Sequence, residues 1–101
     1  MEKEAKALPN SFALHHARPN PFNPSTTIAY EVPEQTQITL TIYNLLGQEV
    51  VRLVDQVQAA GTYEVIWNGR NVHGQPVGSG IFLYRMSAGD FQENKKMTLL
   101  K

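Results

Sequence analysis

The chain is 101 residues long and carries nine basic and nine acidic side chains, for a formal net charge of zero. That length supports one small domain with a single core, and the charge balance gives no global attraction to nucleic acid or to an anionic membrane. There is no cysteine, which excludes disulfide frameworks and thiol chemistry, and no apolar run approaches the roughly 18 residues of a membrane-spanning helix.

Residues 1–16 are expected to form a linker or an added tail, with room for a short first strand in which Phe12 and Leu14 share a face. Met1–Lys6 is charged and has no apolar stretch of the kind that marks a signal peptide. The domain proper is expected over residues 17–101. Pro19, Pro21 and Pro24 forbid regular helix and remove ladder donors, so this segment must be extended or turning, at an edge or between sheets. Alternation is clear from Thr26: Ile28, Tyr30 and Val32 share one face. Pro33–Thr36 turns the chain. Ile38, Leu40 and Ile42 then alternate with Thr39, Thr41 and Tyr43, as in a half-buried strand.

Asn44–Gln48 supplies a turn in which Gly47 is free to take a positive φ. Glu49–Val54 reads as the return strand and Asp55–Gly61 as a loop. Tyr63, Val65 and Trp67 alternate next, followed by a loop punctuated by Gly69, Gly74, Gly78 and Gly80. Ile81–Met86 places Phe82, Tyr84 and Met86 on one face. Ser87–Asp90 is a hairpin turn with Gly89-Asp90 as its strongest signal. In the last strand Phe91, Met97 and Leu99 fall on one face, and Lys95 and Lys96 split across both. About seven strands without a helical period predict an all-β fold, a small antiparallel Ig-like or fibronectin-like sandwich. Trp67 and Tyr84 are expected in its core, with Gly47, Gly61, Gly69 and Gly80 at its turns. No internal repeat is visible.

Little in the chain points to chemistry. His15 and His16 are adjacent and would face opposite ways on a strand; His73 lies in the glycine loop without an acidic or histidine partner at metal-ligand spacing. Gly74–Gly80 lacks the following Lys-Ser/Thr of a phosphate loop. The loop after Trp67 offers neutral amides and no carboxylate, whereas calcium favours several charged oxygens. No serine sits in a nucleophile-elbow pattern. The expectation is a protein that is not an enzyme and holds no cofactor and no metal. On physics alone, Lys95 and Lys96 read as lysines that keep an edge strand from pairing with other sheets.

Several stretches in fixed order carry a further signal. Pro19-Asn20-Pro21-Phe22-Asn23-Pro24-Ser25-Thr26-Thr27-Ile28 resembles the opening motif of type IX secretion system C-terminal sorting domains. Ile42-Tyr43-Asn44-Leu45-Leu46-Gly47-Gln48-Glu49-Val50 resembles the family's IYDxxGxxV. The stretch from Gly61 to Asn71 is similar to GxxxxxWDGRD, and Gly80-Ile81-Phe82-Leu83-Tyr84-Arg85 to SGxYxYR. Lys95-Lys96-Met97 matches the closing lysine strand. The likeness covers about residues 17–101. Asn68 and Asn71 stand where the family usually has aspartates.

The resemblance implies a non-catalytic β-sandwich that directs an exported cargo to the cell surface or medium of a Bacteroidota-type cell, by way of the periplasm. Its implied partners are the outer-membrane translocon, which recognises the folded domain, and a surface processing protease. The implied recognition elements are Pro19, Asn20 and Pro21 together with Lys95, Lys96 and Met97. No membrane insertion is implied, and a monomer is expected. Two other readings fit the same strands: a carbohydrate-binding or adhesion module, marked by exposed aromatics, and an Ig-like domain like that of the flagellar hook-capping protein. The latter shares the strand-turn-tryptophan pattern and does not require the lysine strand.

Overall fold

A computed structural model describes residues 7–101; the part of the expected linker over residues 1–6 lies outside them. Seven strands follow in chain order: β1 (Ala13–Leu14), β2 (Thr26–Val32), β3 (Thr36–Tyr43), β4 (Glu49–Gln58), β5 (Gly61–Trp67), β6 (Gly80–Ala88) and β7 (Phe91–Leu99). They form a three-stranded sheet in the order β1-β2-β5 and a four-stranded sheet in the order β4-β3-β6-β7. Every ladder between named strands is antiparallel. No helix occurs among the described residues. The expected all-β Ig-like sandwich is what the chain forms.

The alternation that marks the strands also builds the core. Ile28, Tyr30 and Val32 of β2 and Ile38, Leu40 and Ile42 of β3 are all buried. They meet Phe82, Tyr84 and Met86 of β6 and Met97 and Leu99 of β7 in one apolar cluster. Trp67, at the end of β5, lies between two rings, 5.6 Å from Phe22 and 5.2 Å edge-on from Phe82. Its indole N–H donates to the Arg70 carbonyl at 2.9 Å, so the polar end of the ring is satisfied as burial requires.

Three local expectations differ from what the chain does. The return strand β4 runs to Gln58 rather than stopping at Val54, with Thr36 opposite Gln58. Asp55–Gln58 is mostly polar because β4 is an edge, and an edge strand is held by its ladder to β3 whatever its side chains are. Ser87 and Ala88 belong to β6, so the hairpin closes through Gly89 and Asp90 alone, with Ala88 opposite Phe91. The packed body also begins before residue 17: Leu14 is buried, and Phe12 stacks on Phe91 at 5.2 Å.

A short pattern does recur in the chain. Asn44-x-x-Gly47-Gln48 and Asn71-x-x-Gly74-Gln75 fold into the same turn. In each, the asparagine Oδ1 accepts two backbone N–H groups, from Leu46 and Gln48 in the first and from His73 and Gln75 in the second. The glycine takes a positive φ, 83° at Gly47 and 78° at Gly74, a region that side chains with a Cβ resist. The asparagine amide closing its own turn is the reason asparagine serves here as well as aspartate.

Tyr84 ties the first strand to the core. Its hydroxyl donates to the His15 carbonyl at 2.7 Å, and burial pushes its pKa up to about 12 from an ordinary 10.0, with the Ala17 backbone opposing. Below pH ~10 both folded and unfolded chains keep this proton. Between pH ~10 and ~12 the unfolded chain releases it while the folded chain holds it, so stability falls as pH rises through that window. Tyr30, also raised by burial, acts in the same sense. The expected result is a urea midpoint that declines from pH 10 to 12, with a shallower decline in Tyr84→Phe. An equal decline in that variant would assign the effect to other groups.

Candidate functional site

The proline run and the closing strand, read separately in the sequence, lie against each other. β7 is the outer strand of its sheet, and its free edge faces the segment leading into β2. The Asn20 side chain bridges that edge: Oδ1 accepts the Thr98 N–H at 2.9 Å, and Nδ2 donates to the Lys96 carbonyl at 3.4 Å. Two residues on, the Phe22 N–H donates to the Thr98 carbonyl at 2.9 Å and the Phe22 carbonyl accepts the Leu100 N–H at 3.0 Å. The contact is a short parallel bridge, Phe22 opposite Leu99. On its other side the segment is held by Thr26, whose hydroxyl donates to the Pro19 carbonyl at 2.8 Å, and by Arg18, which exchanges backbone hydrogen bonds with Thr27.

Phe22 anchors this arrangement. It is 2% exposed and inserts its ring beside Trp67. No alternation marks it in the sequence, and the signal it carries is that it is the one large apolar side chain between Pro19 and Pro24. Gly69 completes the junction. Its φ is +74°, and a Cβ there would stand 3.3 Å from the Pro24 carbonyl oxygen and 3.6 Å from Leu99, so the loop after Trp67 approaches as closely as it does only because the residue is glycine. Beside it the chain leaves a cleft of about 350 Å³ between Pro24, Arg70, Pro76 and Lys101.

The proposed recognition residues separate by depth. Pro19, Asn20 and Pro21 are exposed, and so is Lys96. Lys95 points to the inner side of β7 and differs from the expected exposed lysine: its side chain is only 18% accessible, and Nζ lies 3.2 Å from the Glu93 carboxylate. A lysine can cover apolar surface with its stem while its ammonium reaches a partner at the rim. Met97 is 1% exposed and belongs to the core, so it is not a surface contact. A shallow groove of about 560 Å³ runs beside these residues, between His16, Asn20, Ile81 and Lys96. Gly61 and Gly80 open β5 and β6.

The loop after Trp67 uses its asparagine amide oxygens internally. Asn68 Oδ1 accepts the Arg70 N–H, and Asn71 Oδ1 accepts two further N–H groups. Among the described residues no three His, Asp or Glu side chains converge. The nine aromatic side chains are all buried or half-covered: Tyr63 stacks on Tyr30 at 5.3 Å, and Tyr43 lies under the Arg85 guanidinium at 5.2 Å.

Fold and surface together define a small Ig-like β-sandwich whose distinguishing feature is a proline-asparagine segment seated on its last strand. Residues 22–91 match the FlgD Ig-like domain, and the chain belongs to that family. No curated protein matches it. Among solved structures, the dimeric latent PorU of Porphyromonas gingivalis is similar, with a TM-score of 0.71 and 20% identity over 89% of this chain and 9% of that one. PorZ, an essential bacterial surface component of the type-IX secretion system of the same organism, gives a TM-score of 0.61 at 20% identity over 85% of this chain and 11% of that one. FlgD from P. aeruginosa gives 0.57 at 17% identity over 73% and 58%. The chain thus spans only about a tenth of the first two.

Proposed function

We propose that this domain is a non-catalytic sorting domain that directs an exported cargo through the type IX secretion system to the cell surface or the medium. Its partners in this reading are the outer-membrane translocon and a surface processing protease, met after passage through the periplasm. The observation that carries the reading is the junction of Pro19–Phe22 with Lys96–Leu100. The FlgD-like match spans residues 22–91. The contacts of Asn20 and Phe22 with Lys96–Leu100 join residues at or just outside its two ends, in the segments that the sorting-domain resemblance marks as recognised. The likeness in fold to PorU and PorZ is in keeping with this role.

A hook-capping-like Ig domain is the second reading, supported by the same family match and by the likeness to FlgD. It gives no account of why the flanking segments pair or why an exposed Lys96 stands beside them. A sugar-binding module is disfavoured because five of the nine aromatic rings are buried and the other four are half-covered, whereas such a platform needs an exposed face.

The test is to fuse residues 7–101, which include the buried Leu14, to a fluorescent protein delivered to the periplasm of a type IX-competent bacterium. The reporter is expected outside the cell, and in the periplasm when the translocon is deleted. Retention in the periplasm of the competent strain, with the domain folded, would remove the sorting reading and leave the hook-capping one.

A further inference from the structure

We infer that Asn20 is a positioning residue: its side-chain amide stands in for a missing strand peptide, locks the Lys96–Thr98 edge of β7, and so fixes how Lys96 is presented, without itself being what a partner reads. The role it plays for recognition rests on the sorting function proposed above; the lock itself does not.

Phe22 faces β7, so by period two the next residue of the segment to face it is Asn20, which is flanked by Pro19 and Pro21. Neither has a backbone N–H, so neither can donate to a neighbouring strand. An edge strand presents the N–H and C=O of alternate residues outward. On β7 these are the even-numbered residues, since Lys96 and Thr98 point their groups at Asn20 and Phe22. Phe22 can serve the Thr98 carbonyl and the Leu100 N–H through its own backbone. The Lys96 carbonyl and the Thr98 N–H lie further along, opposite Asn20, whose side chain meets them in place of its backbone. An asparagine between two prolines supplies there, on one short side chain, the donor and the acceptor that a strand peptide would have offered.

The orientation of the amide follows from its partners. Thr98 N–H needs an acceptor and Lys96 C=O needs a donor, so Oδ1 must face the first and Nδ2 the second. The fit is narrow. Aspartate keeps the acceptor and loses the donor, alanine loses both, and glutamine adds a methylene to a span already fixed by Phe22 in the core. Lys96 is itself one end of this clasp, through its carbonyl, and Thr98, two residues on, is the other; the Lys96 side chain is exposed on the outer face. The backbone from its own carbonyl onward is therefore pinned while the side chain points away from the clasp. That is the arrangement expected where a cation is to be found at a fixed place, and Asn20 supplies the fixing.

The experiment compares wild type with Asn20→Asp and Asn20→Ala in the 101-residue chain, reading amide hydrogen exchange at Thr98 with Leu100 as internal control. Losing one ordinary hydrogen bond should speed Thr98 exchange about tenfold in Asn20→Ala. Leu100, held by Phe22, should change less, and Asn20→Asp should fall between. Secreted fraction of the fluorescent fusion should follow the same order. Unchanged Thr98 exchange in Asn20→Ala would overturn the lock. A protected Thr98 in Asn20→Asp with export as poor as in Asn20→Ala would overturn positioning in favour of direct reading of Asn20. If the wild-type fusion is not exported at all, the sorting function fails, and the exchange measurement still decides whether the lock exists.

Discussion

Trp67→Ala is expected to cost about 3–5 kcal/mol, the range for truncating a large aromatic in a packed interior. The ring is 1% exposed and contacts Phe22 and Phe82 on different parts of the fold. Its removal opens a cavity under the proline segment and also leaves the Arg70 carbonyl without its indole donor. For a domain of this size the total stability is of order 5–15 kcal/mol, and each kcal/mol moves the melting temperature by about 4–8 °C. A fall of more than about 12 °C follows, or loss of folding altogether. Trp67→Phe should fall between, since it keeps a ring and gives up the hydrogen bond. Thermal denaturation of the three proteins checks this. A melting temperature within a few degrees of wild type for Trp67→Ala would mean that the ring is not what joins the two sheets at this end.

The position of Trp67 was readable because local pattern and burial agree along its strand. The same holds for β2, β3 and β6, where period-two alternation of β-branched and aromatic residues leaves one consistent inner face. Pattern failed where the ladder alone defines the strand. The Asp55–Gln58 half of β4 has no hydrophobic face to detect, yet it pairs with Thr36–Thr39. Sheet membership was also hidden. Nothing local says that β2 pairs with β5 while β3 pairs with β6, because those choices are settled by packing across the whole chain.

The candidate site shows the same division. Resemblance marked both the proline-asparagine segment and the lysine strand, but hydropathy cannot show a contact between Asn20 and Thr98, 78 positions apart. Phe22 carried a usable signal, an aromatic amid prolines and asparagines, and it is what brings the segment to β7. Period two did show that Lys95 shares a face with Met97 and Leu99. The charge argued for exposure, and the Glu93 carboxylate is what lets the chain keep that charge on the inner side.

That difference in depth reshapes the test of the lysines. Lys96→Ala is expected to leave stability within about 0.5 kcal/mol, the usual span for an exposed position, and to reduce export of a fused reporter to the level of a fusion lacking the domain. Lys95→Ala removes a largely covered stem and leaves Glu93 without its ammonium, so it should lower the melting temperature. Export by Lys95→Ala then mixes folding with recognition and cannot identify a contact by itself. Lys96→Arg separates charge from shape: it keeps the positive charge on a longer, planar head. If recognition needs only a cation at this place, Lys96→Arg should be exported and Lys96→Ala should not. If it needs the compact ammonium, both should be retained. The decisive pairing is melting temperature against secreted fraction for Lys96→Ala. Wild-type melting with wild-type secretion would take Lys96 out of the site. Wild-type melting with lost secretion would identify an exposed cation whose work is done outside the domain, since no other part of the fold depends on it.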